Sequence, residues 1–213
     1  MIDHEITNEA LHIILEYAET DLARAMDPRK PGRVIFDFNS IRHYWLQMLI
    51  AVQSIHKHKI IHGDLKPPNF VLVKGQLRLI DFGISKTIPE EAVTTSIVNN
   101  NLCGTIGYIA PEALVPTEYD ADQQQHVHKY GRAADVWSLG CILYQMVFGK
   151  YPLHGYNPTQ RALLYTNPNF AVDVPNCQSA SCRDAILKCL QRDPQKRATI
   201  PELLQHPFLK YMH

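Results

Sequence analysis

Asp64, Lys66, Asn69 and Asp81 are spaced for chemistry on a phosphate. The first three fall in the run His62-Gly63-Asp64-Leu65-Lys66-Pro67-Pro68-Asn69, and Asp81 opens Asp81-Phe82-Gly83. These types offer a carboxylate that can take a proton, an ammonium, and an amide and a second carboxylate with oxygens for a hard cation. Phosphoryl transfer asks for such a set, because the protein's part in it is alignment and charge neutralisation rather than covalent chemistry. Each residue alone would pass for a turn residue, a cap or a surface charge. What separates the two readings is the order and spacing of about ten required types, counting Ala110-Pro111-Glu112 further on.

Asn69 and Asp81 must be returned to one place by the segment between them. Phe70-Val71-Leu72-Val73 and Leu77-Arg78-Leu79-Ile80 flank a turn containing Gly75, which is a hairpin signature. Upstream, Ile41, Tyr44, Trp45, Met48, Leu49, Val52 and Ile55 fall three or four apart. That period predicts an amphipathic helix, with Ser40 as its cap and Lys57-His58-Lys59 at the negative end of its dipole. The stretch Asp135 to Phe148 is apolar over so broad a surface that it predicts a buried central helix, stopped by Gly149. A further helix is expected from about Ser181 to Arg192, ended by Asp193-Pro194. A last one is expected from Thr199, where Thr199-x-x-Glu202 has capping-box spacing. Leu11 to Leu15 reads as a strand and residues 16–21 as a connector. Residues 84–134 show weak periodicity, are most polar from Asp120 to Lys129, and are expected to form a long irregular segment.

Composition narrows the class. The 213 residues are 46% apolar and 20% charged, as in a globular domain with a substantial core. Twenty-one basic and 21 acidic side chains cancel, so a general attraction to nucleic acid or anionic membrane has no support and neither is expected as a partner. No run of 18 apolar residues is present. Met1 to Glu5 has neither the basic flank nor the apolar stretch of a signal peptide. Five cysteines without a C-x-x-C pair fit reduced thiols in cytoplasm or nucleus. His126-x-His128 has no Cys or carboxylate cluster to complete a metal site. Arg183, Lys188, Arg192, Lys196 and Arg197 crowd one segment and are expected to form a solvated helix face.

In the form and order of its three motifs the sequence resembles the eukaryotic protein kinases. The resemblance implies an α+β, kinase-like fold, with residues 1–22 a remnant of the small-lobe sheet and hinge. Residues 23–213 would form the mostly helical large lobe, with a catalytic loop at 62–69 and an activation segment at 81–112. It implies that Asp64 orients a substrate hydroxyl and accepts its proton, that Lys66 offsets charge on the transferred group, and that Asn69 and Asp81 hold magnesium. Thr105 would position Asp64 and Lys66 through its hydroxyl. Val71 would lie beneath the adenine of ATP, and the backbone of Glu16 and Ala18 would meet its edge, with Leu15 as gatekeeper. His62 and Phe82 would stack in an apolar spine, Asp135 would anchor the catalytic loop, and Glu112 with Arg197 would form a buried ion pair. ATP, magnesium and protein substrates are the implied ligands and partners.

Within the kinases the chain is most similar to the monopolar-spindle dual-specificity checkpoint group. Gly63 in place of the usual Arg, Pro67-Pro68-Asn69-Phe70, Thr94-Thr95-Ser96 ahead of Cys103-Gly104-Thr105-Ile106-Gly107-Tyr108, and Arg192-Asp193-Pro194-Gln195-Lys196-Arg197 carry that similarity. It implies Ser/Thr or Tyr acceptors, spindle-checkpoint signalling at kinetochores, and trans-autophosphorylation. Thr95, with Thr94 and Ser96, is the expected phosphosite; with Gly63 supplying no guanidinium, other cations would receive the phosphate. No G-x-G-x-x-G precedes residue 62 and no V-A-I-K strand is found. Three readings therefore stand: a piece of an active kinase, a non-catalytic binding module competing for kinase partners, or a weak nucleotide binder with residual transfer.

Overall fold

The computed structural model describes residues 2–7, 9–27, 29, 37–88, 96–99, 104–115, 118–120 and 125–210. The chain opens on an antiparallel hairpin, β1 (Asp3–Ile6) with β2 (Leu11–Ile14), exposed along both strands. Ile6, Leu11, Ile13 and Ile14 stand among its exposed apolar residues. The connector that follows ends in β3 (Thr20–Asp21), whose Asp21 side chain accepts from Arg24 N–H to cap α1 (Leu22–Met26).

The long helix α2 (Phe38–Lys57) buries Ile41, Trp45, Met48, Leu49, Val52 and His56 on one face. The apolar stripe is the expected one, but the cap is different. Asp37, not Ser40, caps the helix, and its carboxylate accepts from the Ser40 N–H at 2.7 Å. That hydrogen bond holds the Asp37 carboxyl below its ordinary range.

After β4 (Ile60–Ile61) and a turn of 3₁₀ helix at Pro67–Asn69 come β5 (Phe70–Val73) and β6 (Gln76–Leu79). They pair in register from Phe70↔Leu79 to Val73↔Gln76 across the two-residue turn Lys74–Gly75, and β3 completes the sheet on the other side of β5. β7 (Lys86–Thr87) returns to pair with β4.

Residues 84–134 hold more regular structure than their composition suggests. Besides β7 they contain β8 (Ser96–Asn99), the short α3 (Pro111–Leu114), β9 (Glu118–Asp120) and β10 (Gln125–Gly131). β10 runs through the most polar stretch and is the middle strand of the sheet β8-β10-β9. Its ladder joins the neighbouring β9 on one side and β8, about thirty residues earlier, on the other, and such pairing does not require apolar alternation.

The central helix α4 (Arg132–Phe148) is buried from Ala134 to Tyr144 without a break and ends at Gly149, φ 74. It packs against α2 and against α6 (Ala180–Cys189). Between them lies α5 (Pro158–Thr166), which has no strong period but does have a complete Asn157/Gln160 capping box. α6 is shorter than expected, stopping at Cys189 with Leu190 N–H on Ile186 O. The Thr199/Glu202 capping box starts α7 (Ile200–Leu204), and α8 (Pro207–Lys210) follows. The architecture is α+β, helical in its bulk with small sheets.

The basic segment is not a solvated face. Arg183 donates to Val174 O, Arg192 to Tyr165 O, and Arg197 is buried; Lys188 and Lys196 remain at the surface beside Asp184 and Asp193. The guanidiniums hold backbone carbonyls of the loop at Val174, of the last turn of α5 at Tyr165 and of the first turn of α4 at Ala133. Cys141, Cys177, Cys182 and Cys189 are free thiols, and no helix among the described residues is long and apolar enough to cross a membrane.

Candidate active site

The β5–β6 hairpin closes the distance between Asn69 and Asp81. Ile80 N–H donates to Asn69 O at 2.9 Å, so the residue before Asp81 is fastened to Asn69 itself. Asn69 is buried and its Nδ2 donates to Asp64 O at 3.0 Å, which links the start and end of the catalytic loop. Asp81 is exposed and sits in the left-handed region, φ 65, with Gly83 N–H on its Oδ1 at 3.3 Å. A non-glycine residue in that region is uncommon, though Asp tolerates it better than most.

Asp64 is held from two directions. Lys66 Nζ lies 2.5 Å from its Oδ2, and Thr105 N–H donates to its Oδ1 at 2.7 Å. The Thr105 hydroxyl accepts from Lys66 Nζ at 3.0 Å. Thr105 therefore meets both residues, but reaches Asp64 through its backbone N–H; the hydroxyl goes to Lys66. Gly104 permits this approach: its φ is 105, and a Cβ there would stand 3.0 Å from Gly63 O.

The loop carrying Asp64 is anchored by Asp135 in the first turn of α4. Its Oδ1 accepts from Gly63 N–H at 2.9 Å, and its Oδ2 accepts from His62 N–H at 3.0 Å and lies 2.7 Å from His56 Nε2. The His62 ring accepts from Asp64 N–H at Nδ1, and its Nε2 lies 3.3 Å from Ile80 O, a pairing that suits the Nε2–H tautomer. His62 is fully buried and stacks against Phe82 with ring centroids 5.4 Å apart, while Phe82 remains 46% exposed. At Gly63, φ 77, a Cβ would meet the Tyr130 ring at 3.5 Å. The buried Tyr130 from β10 thus lies in ordinary van der Waals reach of position 63.

Glu112 and Arg197 form a bidentate pair at 2.7 and 3.0 Å, with 8% and 5% of their surfaces exposed. The same guanidinium donates to Ala133 O and Gln191 O and lies over the Trp137 ring. It thereby joins the end of the activation segment to α4 and to the loop before α7. Arg161 on α5 does parallel work that no sequence pattern announces. Only 2% exposed, it donates to Leu153 O, Tyr156 O and Ile106 O, the last belonging to the residue after Thr105. Nothing in the periodicity of α5 separates it from a surface arginine.

Val71 is half-buried on β5, paired with Asp21, and Glu19 N–H donates to Leu72 O, so the connector runs beside it. Glu16 lies exposed and Ala18 half-buried on that connector, and Leu15 is exposed at its start. Thr94 and Thr95 lie outside the described residues, and Ser96 opens the backbone of β8.

The oxygens present suit magnesium. Asn69 donates with its amide nitrogen, leaving Oδ1, and the Asp81 carboxylate is exposed. Among the described residues no group of three or more His, Cys, Asp or Glu side chains gathers as a metal cage. Two oxygen donors with room for water and phosphate are the usual provision for magnesium.

The chain belongs to the protein kinase domain family, which it matches over residues 1–209. It is 44% identical over 213 residues to the probable serine/threonine-protein kinase mps1 of Dictyostelium discoideum, covering 99% of this chain and 21% of that protein. It is 43% identical to the serine/threonine-protein kinase MPS1 of Encephalitozoon cuniculi, over 98% of this chain and 33% of the relative. With the dual specificity protein kinase TTK of Mus musculus the identity is 38%, over 99% and 24%. The chain thus spans about a fifth to a third of the length of these curated relatives.

Proposed function

We propose that this chain carries the phosphoryl-transfer site of a protein kinase acting on Ser/Thr hydroxyls of proteins, with Tyr as a further acceptor. The observation that carries the reading is the Asp64–Lys66–Thr105 cluster, tied through Asn69 to the residue before Asp81. In this reading ATP is the donor substrate. Asp64 orients the acceptor hydroxyl and takes its proton, and Lys66, restrained by Asp64 and Thr105, lies where charge builds on the transferred group. Asn69 and Asp81 would hold magnesium, which neutralises the phosphates when bound. Val71 and the backbone of Glu16 and Ala18 would receive the adenine.

Similarity to kinases named MPS1 and TTK supports placing the reaction in mitotic checkpoint signalling, with kinetochores as the site of action and a second copy of the chain among its substrates. Gly63, which carries no guanidinium, supports the view that a phosphate at Thr94, Thr95 or Ser96 finds its cation elsewhere than at that position of the catalytic loop.

Asp64→Asn tests the assignment. Labelled ATP and a hydroxyl-bearing protein substrate are expected to give a transfer rate at least about 10²-fold below that of the unaltered chain. The circular dichroism spectrum should not change. Equal rates for the two proteins would sink the proposal.

A further inference from the structure

Residues 105–108 lead away from the reacting carboxylate, and different elements fix their two ends. Thr105 N–H donates to Asp64 Oδ1 at 2.7 Å. At the other end Tyr108 O accepts from Ser138 Oγ at 2.8 Å, and Tyr108 OH donates to Gln145 Oε1 at 2.6 Å, both partners on α4. Tyr108 N–H closes the turn on Thr105 O at 2.9 Å. Ile106 and Gly107 form its tip, and Ile106 is 36% exposed. Among the described residues, the hydrogen bond that holds this tip comes from Arg161, whose Nη1 donates to Ile106 O at 3.3 Å.

Arg161 is an unusual group to find there. It is buried without a carboxylate partner among the described residues, whereas the buried Arg197 has Glu112. A buried guanidinium lacking a counter-anion is costly unless its N–H groups are met. All three nitrogens find carbonyls: besides Ile106 O, Nε donates to Tyr156 O at 3.1 Å and Nη2 to Leu153 O at 2.7 Å. Leu153 stands in the left-handed region, φ 55, where a leucine stays only if its surroundings hold it. The guanidinium also lies over the Tyr151 ring, 5.3 Å from its centroid. That ring packs against Tyr108, 5.5 Å between centroids, and stands so near Gly107 that a Cβ there would meet it at 3.3 Å. Arg161 thus grips the tip twice, by a carbonyl and through Tyr151. An apolar side chain could fill the same space; what the rigid fork adds is a fixed place for the Ile106 carbonyl.

We propose that Arg161 is a positioning residue for the protein acceptor, holding residues 105–108 as the surface against which the acceptor chain lies when its hydroxyl meets Asp64. This role rests on the reading of Asp64 as the group that orients that hydroxyl. Because Thr105 N–H touches the Asp64 carboxylate, a chain that delivers a hydroxyl there passes alongside Ile106. The groups assigned to adenine and magnesium, Val71, Asn69 and Asp81, receive no hydrogen bond from Arg161. Loosening the tip therefore weakens the acceptor and not the nucleotide.

Steady-state transfer from ATP to a hydroxyl-bearing protein, with each substrate varied in turn, tests this on the full chain. Arg161→Met is expected to raise KM for the protein acceptor at least about fivefold and to leave KM for ATP within about twofold. Arg161→Lys, which keeps the charge and part of the donor set, should recover part of the acceptor KM. Tyr151→Leu, at a half-buried position, should raise the acceptor KM at least about twofold with KM for ATP unchanged. A role in stability alone would lower the active fraction, and so kcat, with both KM values unmoved. That result, or equal shifts in both KM values, would overturn the proposal, and Tyr151→Leu decides it where the methionine variant does not fold. Asp64→Asn in the same assay separates the two levels. Transfer lost in Asp64→Asn, with the acceptor KM unmoved in Arg161→Met, sinks the positioning role alone; undiminished transfer by Asp64→Asn removes the assignment of Asp64 and this role with it.

Discussion

Thr105 uses two atoms for two tasks, and they can be separated. Thr105→Val keeps the N–H that donates to Asp64 and removes the hydroxyl that accepts from Lys66. Loss of one charge-assisted hydrogen bond near the reacting group predicts about a tenfold fall in kcat, with KM for ATP little changed. Steady-state kinetics checks it; an unchanged kcat would remove the hydroxyl from the mechanism. The Glu112–Arg197 pair belongs to stability rather than chemistry. Arg197→Met leaves a buried carboxylate without its partner and should cost roughly 3–5 kcal/mol, read from urea unfolding. Adding Glu112→Leu should recover part of that loss, because it removes the stranded charge.

Among the elements, α4 and α6 cross closely at Gly140. A Cβ on Gly140 would stand 2.5 Å from Cys189 Cβ and 3.0 Å from Leu190 Cδ2. Gly140→Ala gains helix propensity but forces the two helices apart. Overpacking of this kind predicts a net loss of about 1–3 kcal/mol in chemical denaturation. A neutral result would mean that α6 shifts freely, at odds with its fully buried Ala185, Ile186 and Cys189. The β5–β6 hairpin has a different part. It adds Phe70, Leu72 and Leu77 to the core, and its register determines where Asp81 falls relative to Asn69. A one-residue slip there would turn every side chain of the strand to the other face.

For the whole molecule the titrating groups define a window of stability. Asp184 is held below its ordinary value first by its hydrogen bond to Lys188 and then by His206. Glu202 is lowered by the Thr199 N–H and hydroxyl, and Asp37 by Ser40. A depressed carboxyl adds stability above its unfolded value, near 4, and loses it as pH falls through the folded one. Burial acts oppositely on Cys141 and Cys182, pushing each thiol up to about 12. Their contribution is complete below the unfolded value, near 8.5, and is lost as pH rises from there through the folded one. Melting temperature should therefore be level between about pH 5 and 8 and fall on both sides, the acid limb flattening in Asp184→Asn. A melting temperature that stays constant from pH 6 down to 3 would contradict this.

Local patterns were enough for part of this protein. Asp64, Lys66, Asn69 and Asp81 could be picked out because motif spacing is a property of consecutive residues. The 70–80 hairpin, the stripe of α2 and the Thr199/Glu202 box were legible for the same reason: period, turn and cap are written within a few positions. What the sequence could not declare is which distant group each side chain meets. His56 and Asp135 are 79 residues apart, and Arg197 and Glu112 are 85 apart. Burial of Arg161, the Tyr130 ring beside Gly63 and the β10 strand in a polar stretch follow from packing alone. A lone arginine or tyrosine carries the same local signal whether it faces water or three backbone carbonyls, and only the closing of the chain on itself decides between them.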